Sequence, residues 1–182
     1  MKKTYIIFIS AILSVHSLAV AQNTEIQPYE VIKAIDSVEI RFYPSATLVQ
    51  TSGGNNFGKL FRYISGSNES EEKIAMTAPV YMNEDKSEMA FVMPLDVHQK
   101  GAPEPMGENV SLRITEPRYV AAIRYGGYTN ASKEATHTKR LMKALEDNSI
   151  EAKGDVEFLG YDSPYKFYNR RNEVMVEIAY NK

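Results

Sequence analysis

Stretches of alternating apolar and polar residues cover much of the chain, and this spacing predicts β-strands. The predicted strands are Tyr29–Ile35, Val38–Tyr43, Ser45–Thr51, Ile74–Met82, Glu88–Met93, Val110–Thr115, Tyr119–Tyr125 and Val156–Tyr161. Ile74–Met82 and Glu88–Met93 form a hairpin in this reading. Met89, Phe91 and Met93 share one face of its second strand, because successive side chains of a strand point to opposite sides. We expect a last hairpin in Ser163–Ile178.

Two other segments repeat their apolar residues at helical spacing. The first repeats at i, i+3, i+4 and i+7 through Phe57, Leu60, Phe61 and Ile64. Either Asn55 or Asn56 is a suitable N-cap for this helix. The second helix is predicted over Ala131–Asp147, with Leu141 and Leu145 on one face. Spacing alone favours a core-facing stripe on both helices.

The loosest segment is Pro94–Gly107, which holds three prolines and two glycines. Such a composition is typical of a loop, so we predict a surface linker between two halves of one domain. The halves would span about residues 29–94 and 110–180. A chain of this length buries a core of its own without disulfides or structural metals.

The two halves repeat one order of elements. Pro79 and Pro164 are 85 residues apart, and Glu88 and Glu173 are separated by the same interval. Since identity is low, the argument rests on order and phase. We predict an α+β fold in which duplicated strand–helix–strand–strand units close into a distorted antiparallel β-barrel flanked by two helices.

The N-terminus has the features of a secretory signal peptide. Lys2 and Lys3 precede the apolar run Tyr5–Val15, and Ala19–Ala21 has the small-x-small pattern of a cleavage site. A membrane anchor is the alternative, but the run is shorter than the roughly 20 residues of a spanning helix. We therefore predict cleavage after residue 21, export to the periplasm or the extracellular space, and a single mature domain over residues 22–182.

The charge of the chain argues against polyanionic partners. The formal net charge is −2, and it becomes −4 when Lys2 and Lys3 leave with the signal peptide. Proteins that bind nucleic acids or anionic membranes carry a strongly basic face. We expect neither partner, no transmembrane segment in the mature chain, and a monomer.

Few residue types for covalent or metal chemistry are present. The chain has no cysteine, which excludes disulfides, thiolate nucleophiles and zinc–cysteine sites. Beyond the signal segment only His98 and His137 remain, too few for a histidine-rich metal site. The motifs of serine hydrolases, zinc proteases and phosphate-binding loops do not occur. We therefore predict a protein that is not an enzyme.

Four motifs in order along the chain resemble one protein family. They are "IRFYPSATLV" (Ile40–Val49), "YISGSN" (Tyr63–Asn68), "KIAMTAPV" (Lys73–Val80) and "GYDSPYKFYNRRNEV" (Gly160–Val174). Together they resemble the SOUL haem-binding proteins over about Pro28–Ile178. The resemblance implies a distorted β-barrel flanked by two helices. It also implies binding of haem or another tetrapyrrole as a ligand, rather than as a redox cofactor, in an apolar groove.

Carried onto this sequence, the resemblance implies a binding groove on the first helix and the last hairpin. Its apolar wall would be the stripe Phe57, Leu60, Phe61 and Ile64. Its basic residues would be Arg62, Lys166 and Arg170. A porphyrin has an apolar disc and two propionates on one edge, so an apolar wall with cations at its rim suits it.

Several candidate residues keep a second interpretation. His137 is a weak candidate for the axial ligand of haem iron. A lone histidine on a half-apolar face is more often a hydrogen-bonded core or boundary residue. His98 lies in the Pro/Gly-rich segment, where we expect it to be solvated. We expect Arg170 and Arg171 at the tip of the last hairpin, with Arg171 pointing to solvent.

Glu88 and Glu173 support an alternative function. They occupy equivalent places in the two halves and could flank a cavity that receives an amphipathic cation. The competing interpretation is that both carboxylates are solvated or paired with arginine.

Overall fold

A computed structural model describes residues 24–180 of the chain. Its strands are β1 (Glu25–Ile26), β2 (Glu30–Ile35), β3 (Val38–Tyr43), β4 (Ala46–Ser52), β5 (Thr77–Ala78), β6 (Val80–Met82), β7 (Glu88–Val92), β8 (Val110–Thr115), β9 (Arg118–Gly126), β10 (Glu157–Gly160) and β11 (Arg171–Glu177). Its helices are α1 (Asn56–Ile64), α2 (Leu95–Lys100) and α3 (Ala131–Asp147). The predicted signal peptide lies outside the described residues.

Nine strands form one curled antiparallel sheet that makes a half-barrel. Their order is β2-β3-β9-β11-β10-β6-β7-β4-β8, and β1 pairs separately with β5 in a small parallel sheet. The predicted α+β class and the distorted antiparallel barrel are therefore confirmed. No helix within residues 24–180 has the length and apolarity needed to cross a bilayer.

The two faces of the sheet have different roles because side chains alternate along each strand. On the helix-covered face, α3 packs on β9 and β11, and α1 packs on β4 and β7. Each helix has its own apolar cluster there, centred on Leu141 and Leu145 under α3 and on Leu60 and Ile64 under α1. The other face, which neither α1 nor α3 covers and which we call the helix-free face, carries a third cluster that includes Tyr43, Tyr81 and Met175.

The helices begin in different ways. The Asn130 side chain caps α3 by accepting a hydrogen bond of 3.0 Å from the Lys133 backbone N–H. Asn55 occupies the same position before α1 without a side-chain cap. The neighbouring Asn56 donates its amide to the Ser87 carbonyl at 2.8 Å, so it ties α1 to the β6–β7 turn.

The segment predicted as a plain surface linker contains the short helix α2. Pro94 and Gly101, which favour a loop in the sequence, stand at the two ends of that helix. His98 lies on α2 and is half-buried, so the expectation of a solvated loop histidine was wrong. Its Nδ1 makes a 2.9 Å hydrogen bond with the Thr47 hydroxyl.

The last hairpin differs from the prediction. β11 pairs with β10, and the intervening residues Tyr161–Arg170 form a loop, so no strand begins at Pro164. The 85-residue interval therefore holds for β7 and β11 but fails for the strands before them. The equivalent strands of the two halves are β3 and β8, β4 and β9, β6 and β10, and β7 and β11. Exchanging them reverses the order of these eight strands, so the sheet reads the same from either edge. That symmetry fits a duplication, which stays a prediction.

Candidate ligand-binding site

The predicted apolar stripe of α1 divides into a buried half and an exposed half. Leu60 and Ile64 belong to the core under the helix. Phe57 and Phe61 remain 48% and 51% exposed, although they follow the same periodicity. Their rings are stacked with centroids 6.0 Å apart, and the Phe57 ring meets Phe91 edge-on at 5.3 Å. We call Phe57 and Phe61 the aromatic patch, an exposed apolar surface next to the core under α1.

Arg62 is exposed and lies away from the middle of this patch. Successive residues of a helix are 100° apart, so its side chain points about 100° from Phe61 and 140° from Phe57. It lines a separate cleft of about 210 Å³ with Lys59, Tyr63 and the residues before β8. The structure therefore places Arg62 beside the aromatic patch rather than within it.

Lys166 and Arg170 lie together in the loop Tyr161–Arg170. The Lys166 ammonium is 2.5 Å from an Asp162 carboxylate oxygen. Arg170 donates to the carbonyls of Ser163 and Lys166 at 2.7 and 2.6 Å, and its guanidinium lies 4.7 Å from the ring centre of Tyr128. Both cations are thus ordered by neighbours in the loop rather than extended into solvent.

The Asp162 carboxyl group is the centre of this loop. Its second oxygen accepts a 2.6 Å hydrogen bond from the Arg171 backbone N–H. Burial favours a higher pKa, but the hydrogen bonds and the charge of Lys166 outweigh burial and lower the pKa of Asp162. A ligand anion near Lys166 has to compete with this carboxylate.

The same loop exposes aromatic side chains beside its two cations. Tyr165 is 90% exposed and Phe167 is 77% exposed, and Tyr168 packs edge-on against Phe167 with centroids 5.3 Å apart. Exposed large apolar groups concentrated on one loop commonly mark a binding surface. Sequence reasoning singled out the cations of this loop and missed its aromatic rings.

His137 is engaged in local contacts of α3. Its ring stacks on Tyr125 with centroids 4.4 Å apart, and its Nδ1 is 2.7 Å from the Lys133 carbonyl oxygen. Within residues 24–180, no group of three or more histidine or acidic side chains is arranged to hold a metal ion. These contacts match the boundary position that the sequence left open for His137.

Glu173 lies in a buried ionic network on the helix-free face. Its side chain is fully buried and accepts hydrogen bonds from Arg41 at 2.6 and 3.0 Å. Arg171 approaches the carboxylate to 2.8 Å, and the Tyr161 hydroxyl donates to it at 2.9 Å. Arg171 also lies 3.8 Å from the centre of the Tyr161 ring, so the prediction that Arg171 points to solvent was wrong.

The ionisation of this network follows from its pairing. Burial by itself raises the pKa of Glu173, but hydrogen bonds from Arg41 and the charges of both arginines lower it below its usual range. Burial also raises the pKa of Tyr161, and the nearby Glu173 charge raises it further. The network is therefore an ion cluster in which Arg41 and Arg171 compensate the charge of Glu173, and Tyr161 keeps its proton.

Glu88 does not share this environment. It is exposed and lines a cleft of about 310 Å³ on the helix-free face, together with Glu157 and Arg113. The two equivalent glutamates therefore have different surroundings, and only Glu88 faces an open cleft. Sequence reasoning missed Arg41, whose alternation with Glu39 and Tyr43 on one strand face was the available signal.

Two relatives illustrate the similarity to characterised proteins. Heme-binding protein 1 of Mus musculus is 33% identical over 126 residues, covering 64% of this chain and 66% of the relative, just under two thirds of its length. Heme-binding protein 2 of Homo sapiens is 31% identical over 157 residues. That alignment covers 76% of this chain and 76% of the relative.

Solved structures share the fold at low sequence identity. The C-terminal domain of EcmrR superposes with a TM-score of 0.54 at 11% identity, covering 83% of this chain and 98% of that one. A hydrolase from Listeria innocua gives a TM-score of 0.57 at 10% identity, covering 81% and 94%. At such identities the likeness shows the fold alone.

The family match covers nearly the whole described chain. Residues 24–177 match the family described as SOUL heme-binding protein. The match includes all four sequence motifs and the half-barrel with its two long helices. The chain therefore belongs to the SOUL heme-binding protein family.

Proposed function

We propose that this chain binds haem or a related tetrapyrrole, without enzymatic activity, as an exported protein that scavenges, buffers or transfers its ligand. Family membership and the names of the relatives support the ligand class. The observation that carries the proposal is the aromatic patch on α1, two stacked rings that are about half exposed. Export rests on the N-terminal sequence.

The residues of the patch suit the flat face of a tetrapyrrole. Phe57 and Phe61 offer ring faces to an apolar disc, while Leu60 and Ile64 hold α1 against the sheet. The propionates of haem require cations, and Lys166, Arg170 and Arg62 are the proposed donors. When bound, haem brings an iron centre that accepts axial ligands.

The proposed binding mode does not depend on a histidine ligand. The Nδ1 of His137 already contacts the Lys133 carbonyl, so only its Nε2 is left to coordinate iron. The ring that carries this nitrogen is stacked on Tyr125. His137 therefore remains a secondary candidate. Binding through the disc and the propionates predicts a spectrum unchanged by His137→Ala.

Titration of residues 22–182 with haemin, followed at the Soret band, tests the proposal. We expect saturable 1:1 binding at micromolar haemin. Phe61→Ala should weaken it by about tenfold, since loss of a stacked, partly buried ring costs about 1.5 kcal/mol or more. Ile114→Ala, which removes an exposed apolar side chain on β8, is the matched control. No saturable shift for the wild-type chain would reject the proposal.

The alternative ligand class is an amphipathic cation held by Glu88 and Glu173. The compensation of Glu173 by Arg41 and Arg171 leaves Glu88 as the accessible carboxylate of that pair. Titration with the lipophilic cation ethidium separates the two functions. Binding that Glu88→Gln abolishes and haemin does not displace would favour the alternative.

A further inference from the structure

A second cavity, of about 320 Å³, lies at the end of the sheet where β4 begins. β4 is roughly 20 Å long at 3.3 Å per residue, and α1 begins after its opposite end. Its apolar walls are formed by Pro28, Pro44, Ala46, Val92, Met93 and Leu95. This cavity is separate from the aromatic patch, because Ala46 and Val92 lie on the helix-free face. It is separate from the cleft at Glu88, because that cleft lies at the other end of β4, beside Thr51 and Ser52.

Gln27 supplies a buried polar group to this cavity. The residue as a whole is only 6% exposed, and its backbone N–H donates to the Ala78 carbonyl at 2.8 Å. The Tyr81 hydroxyl donates a 2.6 Å hydrogen bond to the Gln27 side-chain oxygen. The amide nitrogen makes no hydrogen bond to any residue between 24 and 180. Because Gln27 lines the cavity, that nitrogen is a donor available to a ligand.

The hydrogen bond from Tyr81 occupies the Gln27 side-chain oxygen and leaves the two amide N–H groups for other partners. Because Gln27 lines the cavity, a ligand acceptor there would pair with one of these N–H groups.

The mouth of the cavity disfavours anions. Glu25 lines it and accepts a 2.9 Å hydrogen bond from the Leu95 backbone N–H. His98 also lines the cavity and is held by its Nδ1 contact with Thr47. The volume is at the lower end of the roughly 300–1,000 Å³ that ligand pockets occupy, so a tetrapyrrole is too large.

We propose that this cavity binds a small, neutral and mainly apolar molecule whose single carbonyl-type acceptor is hydrogen-bonded to the Gln27 amide. The apolar walls hold the body of the ligand, and Gln27 selects for the acceptor. This site goes beyond tetrapyrrole binding, because Ala46 and Val92 face away from α1 and the aromatic patch.

Nuclear magnetic resonance of residues 22–182 tests the site with acetophenone as probe. Its matched control is α-methylstyrene, which replaces the carbonyl oxygen by a methylene group. We expect saturable shifts of the Gln27 side-chain amide and of the Ala46 and Val92 methyl groups. Binding of α-methylstyrene should be about two- to tenfold weaker, the range of one net hydrogen bond.

A cavity-filling variant gives an independent measurement. Ala46→Met should weaken acetophenone binding at least tenfold and leave the haemin titration unchanged, whereas Ala135→Met, on the exposed side of α3, should change neither. If Ala46→Met does not fold, the wild-type titration decides alone. The proposal is overturned by unsaturable shifts, by shifts confined to the aromatic patch, or by equal affinity for the two probes.

Discussion

Replacement of Glu173 by glutamine tests the most tightly constrained group of the protein. The carboxylate is fully buried and neutralises Arg41 and Arg171, which are themselves largely buried. Glutamine keeps the size of the side chain and one oxygen acceptor. It removes the negative charge and places an N–H donor among guanidinium and hydroxyl donors. The substitution therefore leaves buried positive charge without its partner.

The expected loss can be worked out from these contacts. Removal of one partner from a buried ion pair typically costs about 3–5 kcal/mol. The lower end applies, because Glu39 lies 2.7 Å from Arg41 and still compensates part of its charge. We expect Glu173→Gln to lower the free energy of unfolding by about 3 kcal/mol. For a domain of this size, that corresponds to a decrease in Tm of roughly 6–12 °C.

Urea denaturation at pH 7, followed by circular dichroism, measures this loss. Glu177→Gln is the matched control, because Glu177 is on the same face of β11 but is 41% exposed and 3.8 Å from Arg118. Exposed pairs of this kind contribute about 0–1 kcal/mol. A loss of less than about 1 kcal/mol for Glu173→Gln, equal to that of the control, would refute the reasoning.

Three further results follow from the same structure. Because the folded pKa of Glu173 is lowered, its stabilisation is present above the unfolded value of about 4.3 and is lost as pH falls through the folded value. Acid titration of unfolding should therefore show a steeper loss for wild type than for Glu173→Gln below about pH 5. Asn130→Ala should lower the free energy of unfolding by about 1 kcal/mol in a urea titration, because it removes the side-chain cap of α3. Asn55→Gly should leave that free energy unchanged or raise it, because Asn55 has a φ of 45° and makes no side-chain cap. Asn68→Ala should lower the free energy of unfolding by about 3 kcal/mol in the same assay, since its buried amide donates to the carbonyls of Tyr63 and Glu72. The control Asn83→Ala, in the exposed β6–β7 turn, should lower it far less.

Local patterns were sufficient to predict most of the fold. Alternation placed the strands β2, β3, β4, β7, β8 and β9 close to their observed bounds, and helical spacing placed α1 and α3. These signals are local because a strand or a helix repeats its buried side over a few residues. The prediction failed at α2, where proline and glycine were interpreted as loop signals, and at Tyr161–Arg170, where a strand of the last hairpin was expected.

Sequence patterns predicted only part of the candidate site. Helical spacing grouped Phe57 and Phe61 with Leu60 and Ile64, but it could not tell which of them the sheet would cover. The answer depends on the position of α1 across β4 and β7. Likewise, the cations Lys166 and Arg170 came from the family resemblance. Their contacts with Asp162, Tyr128 and the loop carbonyls are visible only in the folded chain.

The sequence by itself determined the family, the class of fold, the order of most elements and the residue types available for binding. It could do so because motifs, periodicity and composition are properties of neighbouring residues. The tertiary structure alone decided that Arg41 meets Glu173, 132 residues away, and that Gln27 turns its amide into a cavity beside Tyr81. Those contacts arise from the order in which distant strands pair, and burial then sets the charge and hydrogen bonding of each group.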